Sequence, residues 1–540
     1  MSTGVVITAV GGERVTTLDD FEAAMARLPQ GARVPVRYFG LANPRTEKVA
    51  VINHDRRWFP MRRCRRDDAT GSWPCSASPA PPPPRPAAPT TTRFPREERR
   101  PVRDLAPSLV MVDFDIPYRL DGIHGEQFRG TGLVVDAERG LVVVDRETVP
   151  IAMGDVRLTF AASVEVPGEV VYLHPTHNFA VVSYHPALLG DTPIRSARFR
   201  PRSLEVGDEV WLVGLSERGR VVARETRIAQ VESPELPLTD PPRFREMNLE
   251  LIALADTAPT VGGVLADGKG RVLALWASFS AKGKKMTREF FAGIAAERLL
   301  EVVRPLRESR AVGWRGLGAE LLPLTLAEAR GRGLSDAAAR RLEAHDAGRR
   351  RVLSVARLTA GTAAAERLEE GDLLLSIDGR PATSFEEVER HARSQQVHVS
   401  VLRDGGEVML EIPTAPLDGK GTDRCLLWAG ALLQAPHRAA SVQRGIPPQG
   451  VYMSWFWYGS PADRYGLRST RRIVAVDGAP TGDLDAFLAA VAERPDRGAV
   501  RLRTLRLDDK AEVITLKLDL QFWPTLEFRR TDTGWERIEH

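Results

Sequence analysis

Residues 253–276 read ALADTAPTVGGVLADGKGRVLALW, and the order of elements in that stretch decides the fold. A short apolar strand runs into a tight turn ending at Gly262 and Gly263, and the apolar run Val264 and Leu265 follows. A polar hairpin turn at 267–270 then leads into a second apolar strand. Taken alone, VGGVL is a hairpin turn in a β domain of any kind, so its meaning depends on the rest of the chain.

Outward from that stretch, residues 110–307 are mostly short strands at regular spacing with turn signals between them: LVMVDFDI, GTGLVV, GLVVVD, DVRLTF, EVVYLHP, FAVVSY and EVWLVGL. That pattern predicts an all-β barrel or sandwich. Elsewhere one arrangement recurs three times: strand, Gly turn, amphipathic helix, strand. It covers 4–39 (GVVITAVGGERVTTLDDFEAAMARLPQGARVPVRYF), 372–402 and 472–505. Three copies in one chain argue for a repeated α+β module. The tract PAPPPPRPAAP within 76–103 reads as an extended polyproline spacer, a linker in preference to an SH3-type docking segment.

Composition narrows the function classes. A chain of 540 residues has room for roughly three to five domains, each with its own core. Its 75 basic and 71 acidic residues leave a net charge of +4, too small for a global field that would draw nucleic acid or membrane. The basic run 56–66 (RRWFPMRRCRR) is expected to be a solvated face packed on a loop, with nucleic-acid contact the weaker alternative. Three cysteines, an odd count, fit a reducing compartment; Cys64 and Cys75 bracket a span short enough to close a small loop or share a metal. No second Cys or His pair stands at ligand spacing, so neither metal nor cofactor is expected. No apolar run is long enough to cross a bilayer and MSTGVVITAV lacks the features of a signal peptide, which reads as a cytoplasmic chain as written.

The modules carry a resemblance. TAGTAAAERLEEGD (359–372) and YGSPADRYGL (458–467) resemble the GSPA…GL…GD stretch of PDZ domains in the HtrA family, and Gly316-Leu317-Gly318-Ala319 matches the Gly-Leu-Gly-Phe loop that holds a peptide's terminal carboxylate. Glycines suit such a loop because the backbone must turn sharply and aim several N–H groups at one anion. The resemblance implies peptide binding by Gly316, Leu317, Gly318, Ala319 and the following strand from Glu320. The third copy departs from the pattern, with Trp428-Ala429-Gly430-Ala431 at the loop and Ser469-Thr470-Arg471 where Gly-Asp would fall. The first copy begins at Met1 with no leading strands, which reads as a truncated product, half of a split gene, or a module completed by another chain.

The β-rich region resembles the protease unit of the same family, a chymotrypsin-like double β-barrel. Gly130-Thr131-Gly132-Leu133 matches its Gly-Ser-Gly-Phe strand; GLVVVDRETV (140–149) matches the strand of the catalytic histidine, whose place falls at Glu147; HNFAVV (177–182) matches the strand of the catalytic aspartate, whose place falls at Asn178. The opening stretch matches the Gly-Asn-Ser-Gly-Gly-Pro nucleophile loop, with Val261 in the serine's place and Pro259 at one oxyanion donor. Valine has no nucleophilic atom and proline no N–H. Loss of one oxyanion donor costs about 10² to 10³ in turnover and loss of the nucleophile about 10⁶. His174, His177, Thr260, Ser278 and Ser280 are available nearby, and structural roles are expected for the histidines.

DRETVPIAMGDVRLTFAASVEVPGEVVYLHPTHNFAVVSY and DRRWFPMRRCRRDDATGSWPC further resemble the long two-protease-unit branch of the HtrA family, best known from fungal nuclear members, and this chain resembles its C-terminal half. The implied fold class is mainly β with α+β modules: a partial PDZ domain and extension at 1–75, a linker at 76–107, a degenerate trypsin-like domain at 108–307, a PDZ domain at 312–418 and a PDZ-like domain at 424–530. The expected function is a non-catalytic scaffold that binds peptide C-termini or extended segments by strand addition. The alternative is one subunit of a split serine endopeptidase whose active domain lies on an upstream chain. Expected partners are therefore protein or peptide C-termini, with an upstream protease chain and a second copy of this chain also open, and neither nucleic acid nor membrane.

Overall fold

β-Branched and aromatic residues at alternate positions pack a pleated face, while Gly, Asp and Pro mark the turns. In the computed structural model, which describes residues 4–84, 87–282 and 287–540, these runs form two closed barrels and three helix-bearing sheets. The chain divides into two units, one of residues up to Ala88 with Phe528–Glu539, the other of Pro89–Glu527 with His540.

The first unit contains β1 (Val5–Val10), α1 (Leu18–Ala26), β2 (Ala32–Gly40) and β3 (Asn43–His54). Helix α1 starts with a capping box: Thr17 Oγ1 accepts from the Asp20 N–H at 3.1 Å and the Asp20 carboxylate accepts from the Thr17 N–H at 2.9 Å, filling two of the donors a helix start leaves open. Its Ala24 and Met25 cover Val10, Val34 and Val36. On β3, Val49 and Val51 remain 60% and 57% exposed, so this core is small. A hairpin of β4 (Arg62–Cys64) and β5 (Cys75–Ala77) is closed by a Cys64–Cys75 disulfide, which is the small-loop alternative and not the shared metal; Cys425 is the free, buried thiol. Within the basic run, Arg63 pairs with Asp19 and Glu22, and Arg57 pairs with Asp55 and lies over the Trp58 ring.

The second unit opens with a short helix, Arg100–Leu105, inside the span expected to be linker. Pro101 begins it and Val102 and Leu105 join the barrel core, so the spacer ends before this point. The first barrel then comprises β6 (Leu109–Asp115), β7 (Gln127–Asp136), β8 (Leu141–Val144), β9 (Asp155–Phe160), β10 (Val164–Leu173) and β11 (Ala180–Tyr184), closed in the order β9-β10-β11-β8-β7-β6. The second comprises β12 (Glu209–Leu215), β13 (Val221–Glu232), β14 (Leu251–Leu254), β15 (Gly263–Ala266), β16 (Val272–Lys282) and β17 (Thr287–Ala295), closed in the order β12-β13-β14-β17-β16-β15. Closure removes the exposed sheet edges. Helix α2 (Ala296–Arg307) follows and buries Leu299, Val302 and Val303 in the shared core. The opening stretch is therefore β14, the turn, β15, the hairpin and β16 of a trypsin-like double barrel.

The middle module contains β18 (Trp314–Gly316), β19 (Ala319–Thr325), α3 (Asp336–His345), β20 (Arg351–Leu358), β21 (Leu373–Ile377), α4 (Phe385–His391), β22 (Gln396–Arg403), β23 (Gly406–Pro413) and β24 (Ala415–Leu417). Its main sheet runs β19-β20-β21-β22-β23, which leaves β19 at one edge, while β18 pairs with β24. The last module repeats the plan with β25 (Arg424–Trp428), β26 (Ala431–Gln434), α5 (Arg438–Arg444), β27 (Val451–Phe456), β28 (Arg472–Val476), α6 (Leu484–Val491), β29 (Ala499–Leu505) and β30 (Ala511–Lys517), in the sheet order β30-β29-β28-β27-β26-β25.

One glycine of the opening stretch is fixed by close approach. Gly263 has φ +148°, and a Cβ built there would lie 2.4 Å from the Val213 carbonyl oxygen of β12. No side chain fits without moving a strand. Gly268, in the hairpin, has open space at the same point. Gly263→Ala is expected to lower the urea midpoint of the barrel pair by the equivalent of about 1–3 kcal/mol, and Gly268→Ala to shift it by less than about 0.5 kcal/mol. Equal midpoints for the two variants would show that β12 and β15 do not approach this closely.

Candidate functional site

The residues expected at the triad places lie on segments that meet where the two barrels join, and most polar groups there are tied to the protein itself. Asn178, fully buried, accepts from the Arg146 N–H through Oδ1 at 2.8 Å and donates from Nδ2 to the Ser278 carbonyl at 2.6 Å. Both ends of its amide are thus spent on backbone. Asp145, next along the same turn, accepts from the Thr148 and Ser278 N–H groups at 2.7 and 3.0 Å, and burial pushes its carboxyl upward. A Cβ built on Gly262 would stand 3.6 Å from Asp145 Oδ2, which brings the nucleophile loop against these two segments.

Val261, expected at the nucleophile place, is half-buried, while Pro259 is exposed. The Val261 N–H donates to the Leu215 carbonyl at 2.8 Å, and the Val261 carbonyl accepts from the Thr131 N–H at 2.6 Å. Thr131 Oγ1 in turn accepts from the Leu215 N–H at 3.1 Å. An oxyanion hole needs N–H groups aimed at empty space. Here one is missing because Pro259 has none, and the other is already bonded. Thr260 points inward, 7% exposed, and its Oγ1 has no hydrogen-bond partner among the described residues.

Glu147, expected at the histidine's place, is half-buried; burial raises its carboxyl and the Arg243 guanidinium, 4.0 Å away, opposes the rise. Ser280 Oγ donates to Glu147 Oε1 at 3.0 Å and accepts from Arg243 Nη2. That hydroxyl is held between a donor and an acceptor. Arg146 is buried, donates to the His174 and Pro150 carbonyls at 2.9 Å each, and lies 3.7 Å over the Phe244 ring; burial pulls its guanidinium down to about 10.

The histidines take structural roles. His174 is fully buried, its Nδ1 accepts from the Thr176 and His177 N–H groups, and burial followed by His177 holds it well below the ordinary imidazole value, so it is neutral. It packs edge-on to Trp314 of the middle module, 4.4 Å between centroids. His177 Nε2 lies 3.0 Å from Glu389 of α4, and Arg298 of α2 is 3.1 Å from the same carboxylate. Burial opposes ionisation of Glu389, but these two partners hold it below the ordinary carboxylate range. The barrels and the middle module are joined through this buried pair. Among the described residues no group of three or more His, Cys, Asp or Glu is placed to hold a metal.

The expected carboxylate loop sits before β19. Gly318 has φ +84°, and a Cβ there would lie 2.6 Å from Thr362 Oγ1, so glycine is required on both counts. Leu317 and Ala319 are buried in the module's core. The edge of β19 already has an occupant. Asn248, from the loop joining β13 to β14, donates from Nδ2 to the Ala319 carbonyl at 3.0 Å and accepts from the Leu321 N–H through Oδ1 at 2.8 Å. Its amide thus fills the place of a peptide group in a neighbouring strand. Three residues earlier, Arg245 makes a bidentate pair with Glu320 at 2.5 and 2.6 Å, and Arg357 reaches Glu320 at 3.2 Å.

The last module has no such edge at the equivalent strand. Trp428 pairs with Ala431 across a two-residue turn in which Ala429 and Gly430 both have positive φ, 51° and 75°. This geometry is that of a tight hairpin, and β25 lies along β26 where a bound peptide would lie. At the other departure, Thr470 has φ 69° and donates to the Met453 carbonyl, and Arg471 pairs with Glu512.

Sequence reasoning did not find Asn248. The one signal was RFREMNLE between two strands, where Asn is a residue that tolerates positive φ, and Asn248 has φ 53°. It likewise placed Thr131 in a motif without assigning it the bonds to Val261 and Leu215.

No protein-family model matches the chain. A PDZ domain-containing protein of Schizosaccharomyces pombe is 32% identical over 550 residues, which are 99% of this chain and 55% of that one. The pro-apoptotic serine protease nma111 of Neosartorya fischeri is 31% identical over 561 residues, 99% of this chain and 54% of that one. Protease Do-like 7 of Arabidopsis thaliana is 37% identical over 466 residues, 79% of this chain and 42% of that one. The chain spans about half the length of the curated relatives it matches. Among solved structures, the HtrA-type protease AlgW with decapeptide aligns over 59% of this chain and 98% of that one at 18% identity and a TM-score of 0.41, a likeness too slight to add to the strand topology. With 99% of its length aligned to relatives of this kind, the chain belongs to the HtrA-like family.

Proposed function

We propose that this chain is a non-catalytic, PDZ-containing pseudoprotease that serves as a scaffold, capturing peptide C-termini or extended segments along the β19 edge. The observation that carries the non-catalytic half is the Val261 N–H, which donates to the Leu215 carbonyl at 2.8 Å in a loop that has neither nucleophile nor free oxyanion donor. Binding is supported by β19 itself, whose edge groups are satisfied by one side-chain amide and so remain open to exchange for a peptide backbone.

The purified chain is expected not to hydrolyse casein and not to react with a fluorophosphonate probe; stoichiometric labelling would overturn the assignment. Val261→Ser alone is expected to stay inactive, because Pro259, Asn178 and Glu147 are unchanged and the loop's N–H remains bonded. Turnover restored by that single change would mean that a working base stands beside residue 261.

Titration calorimetry with C-terminal peptides tests the binding edge. Micromolar affinity, about 8 kcal/mol, is expected for a short segment that must be ordered on binding. Asn248→Ala removes the internal competitor and its two hydrogen bonds, so affinity is expected to rise by about tenfold. Amidation of the peptide is expected to weaken binding if the Gly316–Ala319 loop receives its carboxylate. No binder tighter than millimolar in either form of the protein would end the proposal.

A second reading is favoured by the relatives' names and lengths: two of those above are named proteases, and this chain matches about half or less of each. On that reading the chain is the C-terminal part of an HtrA-like endopeptidase. Mixing it with the portion of the Neosartorya fischeri relative that it leaves unmatched would then change casein hydrolysis by that portion; independent behaviour of the two would reject it.

A further inference from the structure

Beside β19 lies a cavity of about 400 Å³, lined on one side by Glu320 and Leu321 of the strand and on the other by Leu236, Arg245, Glu246 and Asn248 of the β13–β14 loop. Glu246 is only 7% exposed, and its Oε1 has no hydrogen-bond partner among the described residues. A buried carboxyl left this way is costly unless it is neutral or meets a cation. Burial, with Glu147 adding to it, pushes Glu246 up to about 8, and neither Arg146 nor Arg245 forms an ion pair with it among the described residues. The second carboxylate in the cavity, Glu320, is 8% exposed and is compensated mainly by Arg245.

Arg245 and Asn248 belong to one short loop segment, so the amide that fills the β19 edge and the guanidinium that neutralises Glu320 are held in place together. A segment that displaces Asn248 from the Ala319 carbonyl and the Leu321 N–H loosens the support of Arg245. Glu320 is then left with Arg357, at 3.2 Å, and Glu246 Oε1 remains without a hydrogen-bond partner among the described residues. An apolar side chain entering the cavity would leave that deficit in place, and an acidic one would deepen it. A cationic side chain removes it.

We propose that the extended segment accepted along β19 carries a lysine or arginine whose side chain enters this cavity and meets Glu246 and Glu320, replacing Arg245 as Asn248 is replaced by the segment's backbone. The inference rests on β19 being a binding edge, and it names the chemistry of the ligand: an extended basic segment, read by two buried carboxyl groups. The loop residues Arg245 and Asn248 are the internal version of that ligand.

The experiment uses the full chain, unmodified and as Asn248→Ala, with a series of fluorescein-labelled ten-residue peptides that share one sequence and differ only in placing lysine, norleucine or glutamate at each position in turn. Anisotropy titrations are expected to show one position at which lysine binds about tenfold or more tighter than norleucine, with glutamate weaker than both. Glu246→Gln is expected to bring the lysine-to-norleucine ratio at that position close to one. Lysine and norleucine binding alike at every position of the unmodified chain would overturn the proposal while leaving β19 as a binding edge, and this comparison does not depend on any variant folding. A lysine preference that survives Glu246→Gln unchanged would place the cation elsewhere and also overturn it. If no peptide of the series binds either form of the chain, the reading of β19 falls and this inference with it.

Discussion

The hydrogen bonds among Thr131, Leu215 and Val261 fix the junction of the two barrels, and the state of the whole site follows from them. Thr131 belongs to β7 of the first barrel, Leu215 to β12 of the second, and Val261 to the loop before β15. A hydrolytic site must hold this loop so that its N–H groups face an unfilled space, a strained condition that its surroundings maintain. This loop carries valine at 261 and proline at 259. The backbone instead satisfies its own donors and acceptors, as buried peptide groups do wherever geometry permits. Gly262 and Gly263 have positive φ values, which set the shape of the turn.

The same logic governs the polar side chains left between the barrels. Asn178 and Asp145 are anchored to backbone N–H and carbonyl groups, Arg146 to two carbonyls, and Ser280 stands between Arg243 and Glu147. Buried groups of this kind are tolerated when nearly every one is satisfied, and a satisfied network holds its elements rigidly. Glu389 extends the network out of the barrels, since it meets His177 and Arg298 at once. The middle module is thereby held where the β13–β14 loop can reach β19. The occupied edge of β19 is thus a consequence of domain docking as much as of loop sequence.

The two PDZ-type modules of the second unit manage an exposed strand edge in different ways. Unpaired edge groups invite pairing with any other strand, and folded proteins cover them. In the last module β25 turns back at Ala429 and Gly430 and pairs along β26, a permanent cover made of backbone. In the middle module β18 leaves to pair with β24, and β19 is covered only by the Asn248 amide and the Arg245–Glu320 pair. A cover of two side chains can be exchanged far more readily than a continuous strand. This difference separates the two modules as candidates for binding.

Much of this was legible in the chain alone. Alternating apolar residues and regular turn signals gave the barrels' strands, the strand–turn–helix–strand pattern gave α1, and residue type by itself decides that Val261 carries no nucleophilic atom and Pro259 no N–H. Local signals of this kind need only neighbours in sequence. What the sequence could not contain was where long-range partners would fall: Asn248 against Ala319 and Leu321, separated by about seventy residues, and Glu389 against His177, separated by 212. The Cys64–Cys75 pairing was likewise left open between a loop closure and a metal until β4 and β5 were seen side by side. Sequence determined which residue types stand in each loop and which repeats were present; tertiary structure decided how edges are covered and how charges are paired, because both depend on the packing of segments that no local pattern relates.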